Sequence, residues 1–182
     1  MLYRIKQFFR GVFAKVTPEE QVFLKAYLTK GEALLFRRLR VGEQRHSLNI
    51  AYDCLKEAPK NRILIKAALL HDVGKINSNL TLVHKALVVV ITKLPIPKRM
   101  LPKFLQKALY YKQQHPALGA ELLNNVGTEA SVVFLTRHHH RDFSTNPIPL
   151  KAYPKLGEGF NENSLGDLLK TLELLQKIDE KN

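Results

Sequence analysis

Apolar residues recur along this chain at intervals of three and four, with no convincing run that alternates every second residue. That period predicts helices throughout, an all-α chain without a strand. Residues 2–16 carry Leu2, Ile5, Phe8, Phe9, Val12, Phe13 and Val16 at helical spacing, with cations between them. Thr17-Pro18-Glu19-Glu20 then reads as a fresh helix start. Thr17 is placed as N-cap, Pro18 at the first helical position, and Glu20 closes a capping box. Further helices are expected over 43–57 and 61–73, the second stopped by Gly74. Another is expected over 80–94, parted from a basic segment at 103–112 by Pro95, Pro97 and Pro102. Pro116 is expected to start the next, which carries Leu118, Leu122 and Leu123. Helices over 131–139 and 164–179 complete the pattern. No internal repeat is visible. The span 141–163 is rich in Pro, Gly and Asn and reads as a lid loop or a disordered stretch.

Composition narrows this picture. A chain of 182 residues, 45% apolar, suits one domain with a sizeable core. The expected division is an N-terminal basic amphipathic helix at 1–16 and one domain at 17–182. The longest continuous apolar run, 86–91, is far short of the ~20 residues of a membrane helix. Lys6, Arg10 and Lys15 interrupt any signal-peptide core. Cys54 has no partner for an internal disulfide and reads as a buried small hydrophobe, so the cytoplasm is the expected compartment.

The net charge is +13, which attracts anions such as nucleotides, nucleic acid or a lipid surface. Its distribution says more than its size. No acidic residue stands between Asp72 and Glu121, a span that holds Lys75, Lys85, Lys93, Lys98, Arg99, Lys103, Lys107 and Lys112. That span is either a solvated face or a collar that guides phosphates. The first helix has two readings as well. It packs on the domain, or it lies on an anionic membrane through residues 1–15 with Phe8, Phe9 and Phe13 inserted.

The histidines carry the candidate chemistry. His46 lies on the apolar-patterned helix 43–57, and His71-Asp72 ends the run AALL. His115 precedes LGAELL, and His138, His139 and His140 end VVFLTR. One inward histidine is ordinarily a hydrogen-bonded core residue; several brought to the ends of separate apolar helices suggest a shared object. Mixed imidazole and carboxylate donors suit Mn, Fe, Co, Ni or Zn, and not a closed structural zinc site built on cysteines. A further carboxylate is expected at Asp179. Leu168, Leu172 and Leu175 step along the last helix, and the next step of four lands there. An acid in the last turn is disfavoured by the helix dipole by about 0.3–1 kcal/mol, so an inward one implies a cation opposite. Asp167, in the first turn, is explained by the dipole alone.

The pattern His46…His71-Asp72…Asp179 resembles the HD superfamily of metal-dependent phosphohydrolases, over roughly residues 43–182. HDVGK is close to the HD-[IV]-G-K form of its motif. QHPALGAELL resembles the H-x-x-x-G-x-x-L segment of the HD-GYP phosphodiesterases, and RHHHRD resembles their HHE segment. The resemblance implies an HD-type helical bundle with a metal-lined cleft and two divalent ions. One ion would take His46, His71, Asp72 and Asp179. The other would share Asp72 and take His115, His138 and His139, leaving His140 where the glutamate would stand. The GYP stretch is absent, with FSTNPIPL in its place, so no cyclic di-GMP specificity is implied. Bacterial HD-type diadenosine tetraphosphatases have similar extra histidines.

Phosphoester hydrolysis needs acceleration of up to about 10²¹-fold. General acid–base catalysis supplies about 10²–10⁴, whereas a metal lowers the pKa of its water from about 15.7 to about 7. The expected reaction is therefore attack of a metal-bridging hydroxide on a phosphorylated small molecule such as a nucleotide, with RNA as a second partner class. Asp72 would bridge the ions, and Lys75 would stabilise the phosphoryl oxygens or partner the helix dipole. Arg45 would contact substrate or pair with an acid. His140 would contact substrate and protonate the leaving group, or simply face water, and His84 reads as a surface residue. The rival readings are an HD-type di-iron oxygenase, which shares the ligand pattern, and a non-catalytic nucleotide- or RNA-binding module.

Overall fold

A computed structural model of the chain describes residues 16–78, 101–141 and 162–182. The helix expected over 2–16 up to its last residue, the helix expected over 80–94, and nearly all of the 141–163 loop fall outside these residues. Within them the chain is all helix and turn: α1 (Pro18–Tyr27), α2 (Lys30–Arg38), α3 (Val41–Glu57), α4 (Arg62–Leu70), a 3-10 turn (Val73–Lys75), α5 (Lys103–Asn125), α6 (Ala130–His138) and α7 (Glu162–Lys181). None of these helices is long and apolar enough to cross a membrane.

Local chemistry sets the starts. The Thr17 hydroxyl accepts from the Glu20 amide, and the Glu20 carboxylate accepts from the Thr17 amide at 2.8 Å. The same reciprocal box recurs one helix later between Thr29 and Glu32. That second box splits 17–38 into α1 and α2, a break the apolar period does not mark. The Asn61 side chain caps α4 by accepting from the Leu64 amide at 2.9 Å.

The bundle is built around α4, which packs against α1, α2, α3, α6 and α7. From Leu64 to Leu70 only Lys66 reaches the surface. Even Lys66 is engaged, pairing with Glu32 of α2 and with Glu129 at the head of α6. Phe36, Leu48, Ile50, Leu123, Leu135, Leu172 and Leu175 close the core around it. Cys54 lies buried there too, and burial pushes its thiol up to about 12.

Two expectations need correction. The helix expected over 61–73 ends at Leu70, before the histidine, and the chain tightens into the 3-10 turn. Gly74 does not stop it by adopting a left-handed conformation; Gly127 is the positive-φ glycine among the described residues. Gly74 instead permits a close approach. A Cβ there would lie 1.9 Å from the His115 carbonyl oxygen and 2.7 Å from the Gly119 amide nitrogen. Absence of that atom lets the turn lie flat on α5.

The second correction concerns Pro116, which lies inside α5 rather than at the start of a helix. Proline removes the N–H that would bond the carbonyl four residues back, here that of Lys112. The adjacent His115 ring supplies the missing donor, with Nδ1 3.0 Å from the Lys112 oxygen and 3.0 Å from the Tyr111 oxygen. Gly127 then closes α5, with the Gly127 amide bonding the Asn124 carbonyl and the Thr128 amide that of Leu123.

Candidate metal centre

The stop at Leu70 determines how the site is built. His71 caps α4 in helical geometry, and Asp72 follows at φ −98°, ψ 4°, a sparsely populated region where active-site residues often sit. Both side chains are 1% exposed. Around them converge His46 from α3, His115 from α5, His139 and His140 from the turn after α6, and Asp179 from the last turn of α7.

The distances define two overlapping groups. In the first, the ligating atoms of His46, His71 and Asp72 lie within 4.8 Å of one another. Asp179 borders it, with Oδ1 3.1 Å from His46 Nε2 and 3.9 Å from His71 Nε2. In the second, those of His115, His139 and His140 lie within 4.8 Å of one another. Asp72 joins the two: its Oδ2 is 3.5 Å from His71 Nε2, and its Oδ1 is 3.4 Å from His115 Nε2 and 3.9 Å from His139 Nε2.

Which nitrogen carries each proton follows from the backbone. His71 Nδ1 lies 2.8 Å from the Ala68 carbonyl, His139 Nδ1 lies 2.7 Å from that of Thr136, and His115 Nδ1 faces two carbonyls. A carbonyl can only accept, so Nδ1 holds the hydrogen in all three rings. Each Nε2 is left with a bare lone pair aimed inward. His115 Nε2 and His139 Nε2 stand 3.2 Å apart, and two bare nitrogens make no hydrogen bond. His71 Nε2 and Asp72 Oδ1 are buried without a hydrogen-bond partner. An orphaned buried polar atom costs about 1–3 kcal/mol. Lone pairs crowded around one point, with their outer N–H groups pinned by carbonyls, are the donor set of a metal site. The His and Asp groups can hold a divalent ion, and the fit rests on these orphaned atoms.

The electrostatics agree. Burial would raise the Asp72 carboxyl, but Lys75 at 2.6 Å and the His71 and His115 rings override it and hold it well below the usual range. Asp179 is likewise raised by burial yet drawn down to about 2 by its hydrogen bond with His46 and by His71. Burial lowers His71, and burial with the neighbouring His71 and His140 rings lowers His139 further. Loss of water around the ring and the nearby His115 push His140 down to about 4, although its outer side is exposed. The two carboxylates are held ionised and the His71, His139 and His140 rings are held toward the neutral form, the protonation that metal binding requires.

Several candidates fall elsewhere. His138 is not brought into either group; its ring packs on Phe134 with centroids 4.8 Å apart. His140 takes the place beside His115 that His138 was expected to fill, because the helix ends at His138 and the turn swings the next two residues round. Arg45 forms a bidentate pair with Glu20 at 2.5 and 2.6 Å. Asp167 stands out in solvent beside Lys170. His84 lies outside the described residues. Two participants were missed. Glu43, buried at the start of α3, comes within 3.9 Å of Lys75. Gln176 of α7 donates to the carbonyls of Arg141 and His138 at 2.8 and 3.3 Å, fixing the turn that carries His139 and His140. Neither has a signal in sequence beyond its place on a helix.

Residues 44–179 match the family model described as HD domain. No curated protein and no solved structure matches the chain.

Proposed function

The chain belongs to the HD superfamily of metal-dependent phosphohydrolases, and we propose that it hydrolyses a nucleotide or related phosphoester at the two joined His/Asp groups. The single observation that carries this reading is the inward convergence of His71 Nε2, His115 Nε2, His139 Nε2 and Asp72 Oδ1, of which His71 Nε2 and Asp72 Oδ1 are buried without a hydrogen-bond partner.

One ion would be held by His46, His71, Asp72 and Asp179, and a second by Asp72, His115, His139 and His140. His140 replaces His138 in this set. When bound, such ions neutralise phosphoryl oxygens and acidify water toward neutral pH. The chain's own residues do the rest. Asp72 offers one oxygen to each group while Lys75 neutralises its outer side. Lys75, about a quarter exposed at 24%, spends one N–H on Asp72 and presents its remaining protons to an incoming phosphate. The Ala68, Thr136 and Tyr111 carbonyls keep the rings in the tautomer that leaves Nε2 bare. Glu43 limits how far Lys75 can swing from the site.

The test is a phosphoester panel of nucleotides, dinucleotides, cyclic dinucleotides and short RNA, run on metal-loaded and chelator-treated protein. Hydrolysis of at least one class is expected only with metal, and Asp72→Ala should abolish it together with the bound metal. Undiminished turnover in stripped protein would overturn the assignment. Turnover that consumes oxygen and releases no phosphate or alcohol would point to the oxygenase reading instead.

A further inference from the structure

We propose that the surface flanking the 3-10 turn binds single-stranded nucleic acid, so that the substrate of the site is a strand rather than a free nucleotide. The inference rests on the phosphoesterase reading above and names its substrate class.

The turn Val73–Lys75 lies between α2 and α5 and touches both. On one side, α2 ends in Arg37 and Arg38, followed by Arg40, all exposed. Arg38 reaches over to Asn77, just past the turn, at 3.4 Å. On the other side, α5 leads away from His115 with Lys112, Lys107 and Lys103, also exposed. None of these three lysines forms an ion pair among the described residues, and the sequence around them holds no acid before Glu121. The site therefore sits between two cationic banks.

Length distinguishes a strand from a small anion. From His115 to Lys103 is twelve residues of helix, ~18 Å at ~1.5 Å per residue. The Debye length at physiological salt is ~8 Å, so a mononucleotide held at His115 gains little from Lys103. A chain of phosphates engages the whole bank.

Aromatic exposure distinguishes single strand from duplex. Tyr110 is 53% and Phe104 46% exposed on the same helix, and Lys107 lies 5.9 Å over the ring of Tyr111. Tyr110 and Tyr111 meet edge to face at 5.5 Å, which holds Tyr110 in place. An unpaired base can stack on such rings, whereas a duplex hides its base faces. Cations interleaved with exposed aromatics along one helix are the arrangement that tracks a strand.

The test is fluorescence anisotropy of a labelled 12-nucleotide oligouridylate with full-length protein in chelator, where nothing is cleaved. Binding should weaken steeply with salt, with a log–log slope of about −3 for about four phosphates engaged. The double variant Lys103→Glu/Lys107→Glu should bind at least about tenfold more weakly, with the slope reduced by about 1 or more. Tyr110→Ala should lose about tenfold in affinity at unchanged slope. Circular dichroism should show all variants folded, since the changes are at exposed positions. Equal affinity in the lysine variant, or uridine monophosphate competing as well as the oligomer, would overturn the proposal. So would binding to phosphatidylglycerol vesicles with none to the oligomer. Hydrolysis of small phosphoesters without oligomer binding would defeat this inference alone. Oligomer binding without any metal-dependent hydrolysis would defeat the phosphoesterase reading and leave the strand-binding surface standing.

Discussion

Asp72 divides its two oxygens between opposite partners. Oδ2 accepts from the Lys75 ammonium at 2.6 Å, and Oδ1 faces the bare nitrogens of His115 and His139. At the scale of single residues, this crowding has a consequence for pH. His71, His138, His139 and His140 all sit below the ordinary histidine value of 6.5, His138 and His140 at about 4. The unfolded chain therefore takes up protons below about pH 6.5 that the folded chain refuses, and stability falls with them. Metal-free protein should hold its full stability above pH 7 and lose it progressively from 6.5 toward 4. Asp179, near 2 when folded against 3.8 as a free group, adds a second loss below pH 3.8. Urea denaturation at a series of pH values in chelator measures this. A stability that rose as pH fell from 7 to 5 would contradict the lowering of these histidines.

Elements join the site by contacts made away from the histidines. Gly74 and Gly119 let the 3-10 turn press on α5, and this contact brings Asp72 to His115. Gly74→Ala would drive a methyl group into backbone rather than into a yielding side chain. It should therefore cost at least the upper part of the about 1–3 kcal/mol usual for overpacking, together with metal affinity. Thermal denaturation with and without metal reads both effects. Gln176 acts more locally. Gln176→Ala removes two bonds that fix the 138–141 turn, and should weaken metal binding about 10–100-fold, as loss of an outer partner commonly does. Its chelated form should remain folded, which separates positioning from scaffolding.

The elements also show what the sequence could convey. The Thr17 capping box was legible because four adjacent residues carry the whole signal. Thr29 and Glu32 make the same box, but they sit inside a continuing apolar period that conceals the break. Pro116 was read as a helix start because proline usually ends hydrogen bonding; only the fold shows the His115 ring replacing the missing donor. His71, Asp72, His115 and Asp179 were legible from their positions at the ends of apolar runs. That His140, and not His138, would stand beside His115 was not. It depends on where α6 stops, and a one-residue change there turns each side chain by about 100°.

At the largest scale, the described residues form a bundle around α4 whose polar end is lined by imidazoles from helices far apart in sequence. Lys66, Glu32 and Glu129 tie α2, α4 and α6 together. Arg45 and Glu20 tie α1 to α3 beside His46. The apolar packing of α4 stabilises the fold, while the site at its end gathers lone pairs that no hydrogen bond satisfies. A fold arranged in this way should gain stability from the ligand that fills that point. The most direct measurement is the melting temperature of chelator-stripped protein titrated with Mn²⁺, beside Asp72→Ala. A ligand at a hundred times its Kd adds about 2.7 kcal/mol, or about 5–10 °C for a domain of this size, and Asp72→Ala should lose most of that rise. An unchanged melting temperature in the wild-type protein, or an equal rise in Asp72→Ala, would contradict the claim that these imidazoles and this carboxylate are a metal site.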